Sequence, residues 1–185
     1  MKFNDHFELI DKHAFLSASK YHWINYSDDK LVDTYTKYQA IQRGTDLHNL
    51  ASQCINLKVK LPKSKSAINM FVNDAIGYRM VSEQPLYYST NAFGTADAVS
   101  FRDNSLRIHD LKTGISRVSM AQLEIYTALF CLEYDINPEE INIELRIYQG
   151  DEIIAHEPDA STIKTIMDKI VRFDMHIEKL KQELE

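Results

Sequence analysis

The chain has 185 residues, 44% of them hydrophobic, and 27 acidic against 21 basic side chains leave a formal net charge of −6. That length fills one core and is short for two, and with five glycines, four prolines and no repeat it argues against disordered and solenoid classes. The acidic balance argues against broad, non-specific adhesion to nucleic acid while leaving room for a local basic track.

Residues up to about Tyr26 are aromatic-rich, with Phe7, Phe15, Tyr21, Trp23 and Tyr26 among polar neighbours. Core packing is the default role for these rings, and base stacking by Tyr21 or Trp23 is the alternative. Ser27-Asp-Asp29 is an N-cap cluster, after which Leu31, Tyr35 and Tyr38, then Leu47, Leu50, Ala51, Cys54 and Ile55, follow a helical period. Gly44 is expected to break this stretch into two helices. Lys58, Lys60, Lys63 and Lys65 cluster in a linker around Pro62, which reads either as a solvated loop or as a place where Lys63 and Lys65 meet phosphates. A further amphipathic helix runs from Ile68 to about Met80.

Leu86-Tyr-Tyr88 reads as a short strand. Gly94–Phe101 and Leu106–Gly114 are rich in β-branched and apolar residues and are separated by Arg102-Asp-Asn-Ser105, which is turn chemistry, so the pair predicts a β-hairpin. Asp97 and Asp110 then face each other across it. Strand alternation puts Ile108, Asp110 and Lys112 on one side, with Arg107, His109 and Leu111 on the other. An acid and a lysine side by side, with a second acid on the paired strand, cost stability in a core, and phosphate chemistry gives them a use. Two carboxylates suit Mg²⁺ or Mn²⁺, and a neighbouring lysine can position a water. The bland alternative is a surface hairpin with a weak ion pair.

From Ser119 to Tyr134 the chain is apolar nearly all round, the pattern of a buried helix, with Gln122 and Tyr126 as polar-tipped exceptions on one face. Asn137-Pro138 ends it. Ile141, Ile143, Leu145 and Ile147 then alternate with polar residues as a strand, and the strand–helix–strand order predicts a parallel, right-handed crossover. Ile153–His156 is expected as an edge strand. In the last helix Ile163, Ile166, Ile170, Phe173, Ile177, Leu180 and Leu184 form a heptad seam, which either packs on its own domain or is shared in a homo-oligomer.

Gly44-Thr-Asp-Leu-His48, Gly94-Thr-Ala-Asp97, Asp110-Leu-Lys112-Thr-Gly114 and Gln122-Leu-Glu-Ile-Tyr126 resemble, in order, the motifs of the PD-(D/E)XK nuclease superfamily, in its RecB-like, phage-type exonuclease branch. The resemblance runs from about Phe15 to Tyr148. It implies a restriction-endonuclease-like α/β core: a mixed sheet of a three-strand antiparallel meander plus a parallel crossover strand, flanked by helices. His48, Asp97, Asp110 and the Leu111 backbone carbonyl would ligate Mg²⁺ or Mn²⁺, and Glu83 is a further acidic candidate. Lys112 would serve the attacking water. Gln122 and Tyr126 would orient the site and the DNA, with Gly44 and Thr113 beside it. Cys54 and Cys131 cannot supply the four thiolates of an iron–sulfur cluster.

One domain is therefore expected over 1–185: a mainly helical part to residue 80, the sheet and buried helix over 81–157, and a terminal helix over 160–185. The expected activity is metal-dependent hydrolysis of DNA phosphodiester bonds, as an exonuclease of phage-type recombination, repair or DNA degradation. An endonuclease, an enzyme acting on RNA, and a catalytically silent DNA-binding or assembly module are the alternatives. Without a membrane-length apolar run or a basic-then-apolar leader in residues 1–6, a cytoplasmic protein is expected, in the host cytoplasm if a phage encodes it. The two distant cysteines are expected to pack as small apolar groups.

Overall fold

Asp103 and Asn104 close the predicted hairpin with positive φ at both positions, 50° and 55°, the geometry of a two-residue type I′ turn that Asp and Asn tolerate. The strands it joins, β2 (Ala92–Arg102) and β3 (Ser105–Lys112), pair antiparallel from Arg102↔Ser105 to Ala98↔His109. The structure is a computed structural model and describes Phe7 and residues 12–184; residues 1–6, 8–11 and 185 and the side chain of Leu184 lie outside it. Five strands form one mixed sheet in the order β1-β2-β3-β4-β5. β1 (Val81–Ser89) is antiparallel to β2, β4 (Asn142–Gln149) is parallel to β3, and β5 (Glu152–His156) is antiparallel to β4. The chain is thus α/β, a meander joined to one parallel pair, with helices on both faces.

The chain divides into two compact units, one up to Arg43 and one from Gly44 onward. In the first, a 3₁₀ segment, Ala18–Asn25, is tied by the Trp23 indole N–H donating to the Ser17 carbonyl at 2.9 Å. Phe15 there packs edge-on against Tyr35, with ring centroids 5.0 Å apart. Tyr21 remains exposed, whereas Trp23 is half-buried.

In the second unit the period-2 pattern decides the layers. Leu106, Ile108, Ile143, Leu145 and Ile147 point to one face and pack under α3 (Ala121–Glu133) and α4 (Ala160–Leu184). Ala98, Leu111 and Tyr148 point to the other, under Ala51, Cys54 and Ile55 of α1 (Asp28–Leu57) and under α2 (Ala67–Gly77). Both cysteines are free and buried in these layers.

Four expectations change. Gly44 does not break α1, which runs unbroken through it; the glycine instead serves close packing, and its helix-weakening cost, about 1 kcal/mol, is offset there. β1 begins at Val81, not Leu86, because Pro85 is no obstacle on an edge strand. α3 is not buried all round: Ile125 faces outward at 44% exposure. The α4 seam is divided. Ile163, Ile166 and Ile170 pack on the core, while Phe173, Ile177 and Leu180 are exposed. That second half is held by polar contacts, with Asn91 donating to Asp174 at 2.8 Å and accepting from Lys181 at 2.7 Å. Among the described residues no helix is long and apolar enough to cross a membrane.

Ile163 is fully buried and Ile177 is 39% exposed. Ile163→Ala should therefore cost about 2–5 kcal/mol in urea unfolding, and Ile177→Ala less than about 1 kcal/mol. Equal costs would show that the whole helix belongs to the core.

Candidate metal centre

β2 and β3 part just where the acids stand. The last pair of the ladder is Ala98↔His109, so Asp97 and Asp110 lie one step beyond it, at the mouth of the opening. Asp97 bridges the gap: its Oδ2 accepts the Leu111 N–H at 2.8 Å. In an extended strand the N–H and C=O of one residue point to the same edge, so the Leu111 carbonyl faces this gap as well.

On the other side of β2, Glu83 stands opposite Asp97, between the pairs Ser82↔Ala98 and Gln84↔Ala96. Its φ is +51°, a left-handed conformation that costs a non-glycine residue about 1–2 kcal/mol. α1 adds His48, with Nδ1 at 3.4 Å from Asp97 Oδ2. Ligand atoms of His48, Glu83 and Asp97 all lie within 4.8 Å of one another. Asp110 lies outside this trio but feels the charge of Asp97 and His48.

Burial, followed by the Asp97 charge, raises the Glu83 pKa above the usual carboxylate range, against a smaller opposing effect of His48. Asp110, with a side chain only 4% exposed, is raised for the same two reasons, with Lys112 and His48 opposing. The His48 pKa is raised by its contact with Asp97, against desolvation. Carboxylates pressed together and in need of positive charge fit a divalent cation. The donor set of two carboxylates and one imidazole, with a further carboxylate beside it, accommodates Mg²⁺ and favours Mn²⁺, which binds imidazole better.

Lys112 fills the other side of the opening. Its Nζ is 3.0 Å from Asp110 Oδ2 and donates to Gln122 Oε1 at 2.9 Å. Asp110 Oδ2 makes no well-aligned hydrogen bond, so at 3.0 Å this contact is an ion pair. Gln122 in turn donates to the Tyr126 hydroxyl at 3.1 Å. Residues 122 and 126 are one helical turn apart on α3, which aligns the relay. Gly94 sets its far end: a Cβ there would stand 2.8 Å from the Tyr126 ring. Gly44 plays a matching part on α1, where a Cβ would meet the Thr113 hydroxyl at 2.9 Å.

All the catalytic and metal candidates named from the sequence therefore converge, with Thr113 at the Gly44 contact. Lys63 and Lys65 do not touch the site; both are exposed on the linker, whose end joins the β4–β5 turn through the Ala67 N–H and the Gly150 carbonyl. Two features had no sequence signal. Gln149, paired with Lys112 across β3–β4, clamps the loop after Lys112 by donating to the Gly114 and Ser116 carbonyls. His109 is fully buried behind Asp110, and burial, then Arg146 and Arg107, lowers its pKa to about 3. Tyr148 spends its hydroxyl proton on Asp74 at 2.7 Å, so neutral His109 donates to it from Nδ1. This network anchors the strand beneath the site.

No protein-family model matches the chain, and no curated protein matches it. Among solved structures the chain is similar to "Crystal structure of SSO0001" at 12% sequence identity, over 70% of this chain and 86% of that chain, with a TM-score of 0.31. A likeness at that score carries no argument about fold or function.

Because Asp97 raises the His48 pKa, the stabilisation from that proton is full below pH 6.5 in the metal-free protein and is lost as pH rises through the folded-state pKa. NMR titration should place His48 above 6.5, and Asp97→Asn should bring it down. A His48 that titrates at or below 6.5 in the unaltered protein would contradict the contact.

Proposed function

We propose that the chain is a metal-dependent deoxyribonuclease of the PD-(D/E)XK superfamily, and that its sheet is the restriction-endonuclease-like core of that family. The observation that carries this reading is the Lys112 ammonium, held between Asp110 and Gln122 and set beside the His48–Glu83–Asp97 trio. A module that only binds DNA gains nothing from burying Asp110 and straining Glu83 around a cation-sized gap.

His48, Glu83 and Asp97 would hold Mg²⁺ or Mn²⁺, with Asp110 and the Leu111 carbonyl turned to the same opening. When bound, the cation lowers the pKa of a water and offsets charge on phosphoryl oxygens. The protein supplies position. Asp110 and Gln122 fix Lys112 Nζ, so that its protons point to one spot and can orient the attacking water or a phosphate oxygen. Tyr126 stops Gln122 from rotating away. The four-motif resemblance favours an exonuclease acting in phage-type recombination, repair or DNA degradation.

Incubation with linear duplex, circular duplex and single-stranded DNA, in Mg²⁺, Mn²⁺ or EDTA, tests the reading. Cutting of linear DNA alone makes the protein an exonuclease, and cutting of circles makes it an endonuclease. No metal-dependent cutting of any DNA sinks the proposal in favour of a silent binding module.

Lys112 is a third exposed, so Lys112→Ala should keep the fold and Mn²⁺ binding while lowering cleavage at least about hundredfold. Asp97→Ala should lose Mn²⁺ binding in calorimetric titration as well. Since protons compete at a His48 whose pKa is raised, apparent Mn²⁺ affinity should begin to fall while pH is still above 6.5. Gly94→Ala should push Tyr126 aside, unhook Gln122 and lower cleavage as far as Gln122→Ala does. Full activity in Gly94→Ala would remove the relay from the mechanism.

A further inference from the structure

α1 and α2 both end at one cleft of about 400 Å³, floored by Ile55, Ile76 and Met80 and rimmed by Lys58, Arg79 and Arg102. Both helices stop in the same way. The Lys58 and Val59 N–H groups donate to the Ile55 and Cys54 carbonyls, and the Arg79 and Met80 N–H groups donate to the Ile76 and Ala75 carbonyls. That is a Schellman ending, whose left-handed position is normally glycine. Here the position is a cation each time, at φ 56° for Lys58 and φ 53° for Arg79. Arg102 joins them from the end of β2, next to the hairpin turn.

Three cations converge there, and among the described residues none of them has an ion pair or a side-chain hydrogen bond. The electronegative ends of two helices account for part of this charge, about half a unit each, leaving roughly two positive charges uncompensated. In a chain of net charge −6 the surroundings are selective too. Residues 47–73, which carry α1 from the metal centre to this cleft and return through the linker to α2, contain four lysines and no acidic residue. The seam between α1 and β1 is lined by neutral groups, with Ser52 bonded to Ser82 at 2.9 Å and Ser82 to Asn56 at 3.1 Å.

We infer that this cleft binds a backbone phosphate of a nucleic-acid strand that is engaged at the metal centre. The identity of the ligand rests on the nuclease reading; the anion site itself does not. Ten residues of α1 separate His48 from Lys58, about 15 Å at the helical rise. At about 3.4 Å per step the cleft therefore meets the strand roughly four or five nucleotides from the bond being cut. Two helix ends account for part of this charge, and the strained cations that converge without a carboxylate beyond that have a use on such a strand.

The test is made on a Lys112→Ala background, so that DNA survives the titration. Lys58→Gly, Arg79→Gly and Arg102→Gln are combined. Glycine suits both left-handed positions, so the melting temperature should hold or rise. Binding of a labelled strand of about 20 nucleotides should weaken about tenfold or more, and the plot of log affinity against log salt should become shallower by about one to two. A strand of about three nucleotides, too short to span both sites, should bind as before. Should the combined variant melt early, Arg102→Gln alone, which alters neither left-handed position, must still weaken binding of the long strand. Unchanged affinity and salt slope overturn the proposal. So does loss of inorganic phosphate or nucleoside monophosphate binding with DNA binding intact, which would make the cleft a site for free phosphate esters. Because no cleavage is read, a protein that cuts no DNA can still show the cleft, and a protein that cuts can still fail this test.

Discussion

The parting of β2 and β3 beyond Ala98↔His109 is the constraint on which the site depends. A ladder that continued would close the gap and pair away the Leu111 amide. Asp97 takes that amide instead, so one carboxylate both replaces a ladder bond and stands at the mouth of the gap. The opening is then bordered by a backbone edge, two carboxylates and a lysine. None of these needs a loop to place it, and sites on strands and helices hold their geometry more tightly than sites on loops.

Keeping such an opening in a folded chain requires that its walls be rigid. The apolar layers on the two faces supply this, because α3 carries Gln122 and Tyr126 over one side while α1 carries His48 over the other. The two glycines set how close these helices come, Gly94 to Tyr126 and Gly44 to Thr113. Behind the acids, the His109–Tyr148–Asp74 chain replaces a hydrophobic plug with a polar one, in which His109 Nε2 is left without a hydrogen bond and Arg146 closes on Asp74 at 3.2 Å.

What could be read from the sequence was what has a period. Alternation along β3 put Asp110 and Lys112 together, alternation along β4 gave a strand that the strand–helix–strand order made parallel, and the Asp-Asn turn gave the hairpin. Glu83 had little support because Glu83-Gln-Pro85 has no strand pattern, and its place at the gap comes with a left-handed conformation that no period encodes. Gly44 looked like a break because propensity is local, whereas the contact that excludes a Cβ lies on a strand far along the chain. The α4 heptads were present in the residues, but where the core stops beneath them is a property of the folded surface. The clamp by Gln149 is a pure tertiary contact and left no trace in the pattern.

β1 has a consequence of its own as the outermost strand of the sheet. A free strand border is a template on which another chain can add, and it is a common start of aggregation. Here the border is interrupted three times within a few residues. Glu83 turns out of the extended conformation, Pro85 has no amide to offer, and the Tyr87 amide is taken by Glu133 from α3 at 2.8 Å. The residue that stands within 4.8 Å of His48 and Asp97 thus also interrupts the free border, so one local irregularity both brings a carboxylate to the gap and makes the edge a poor template for another strand.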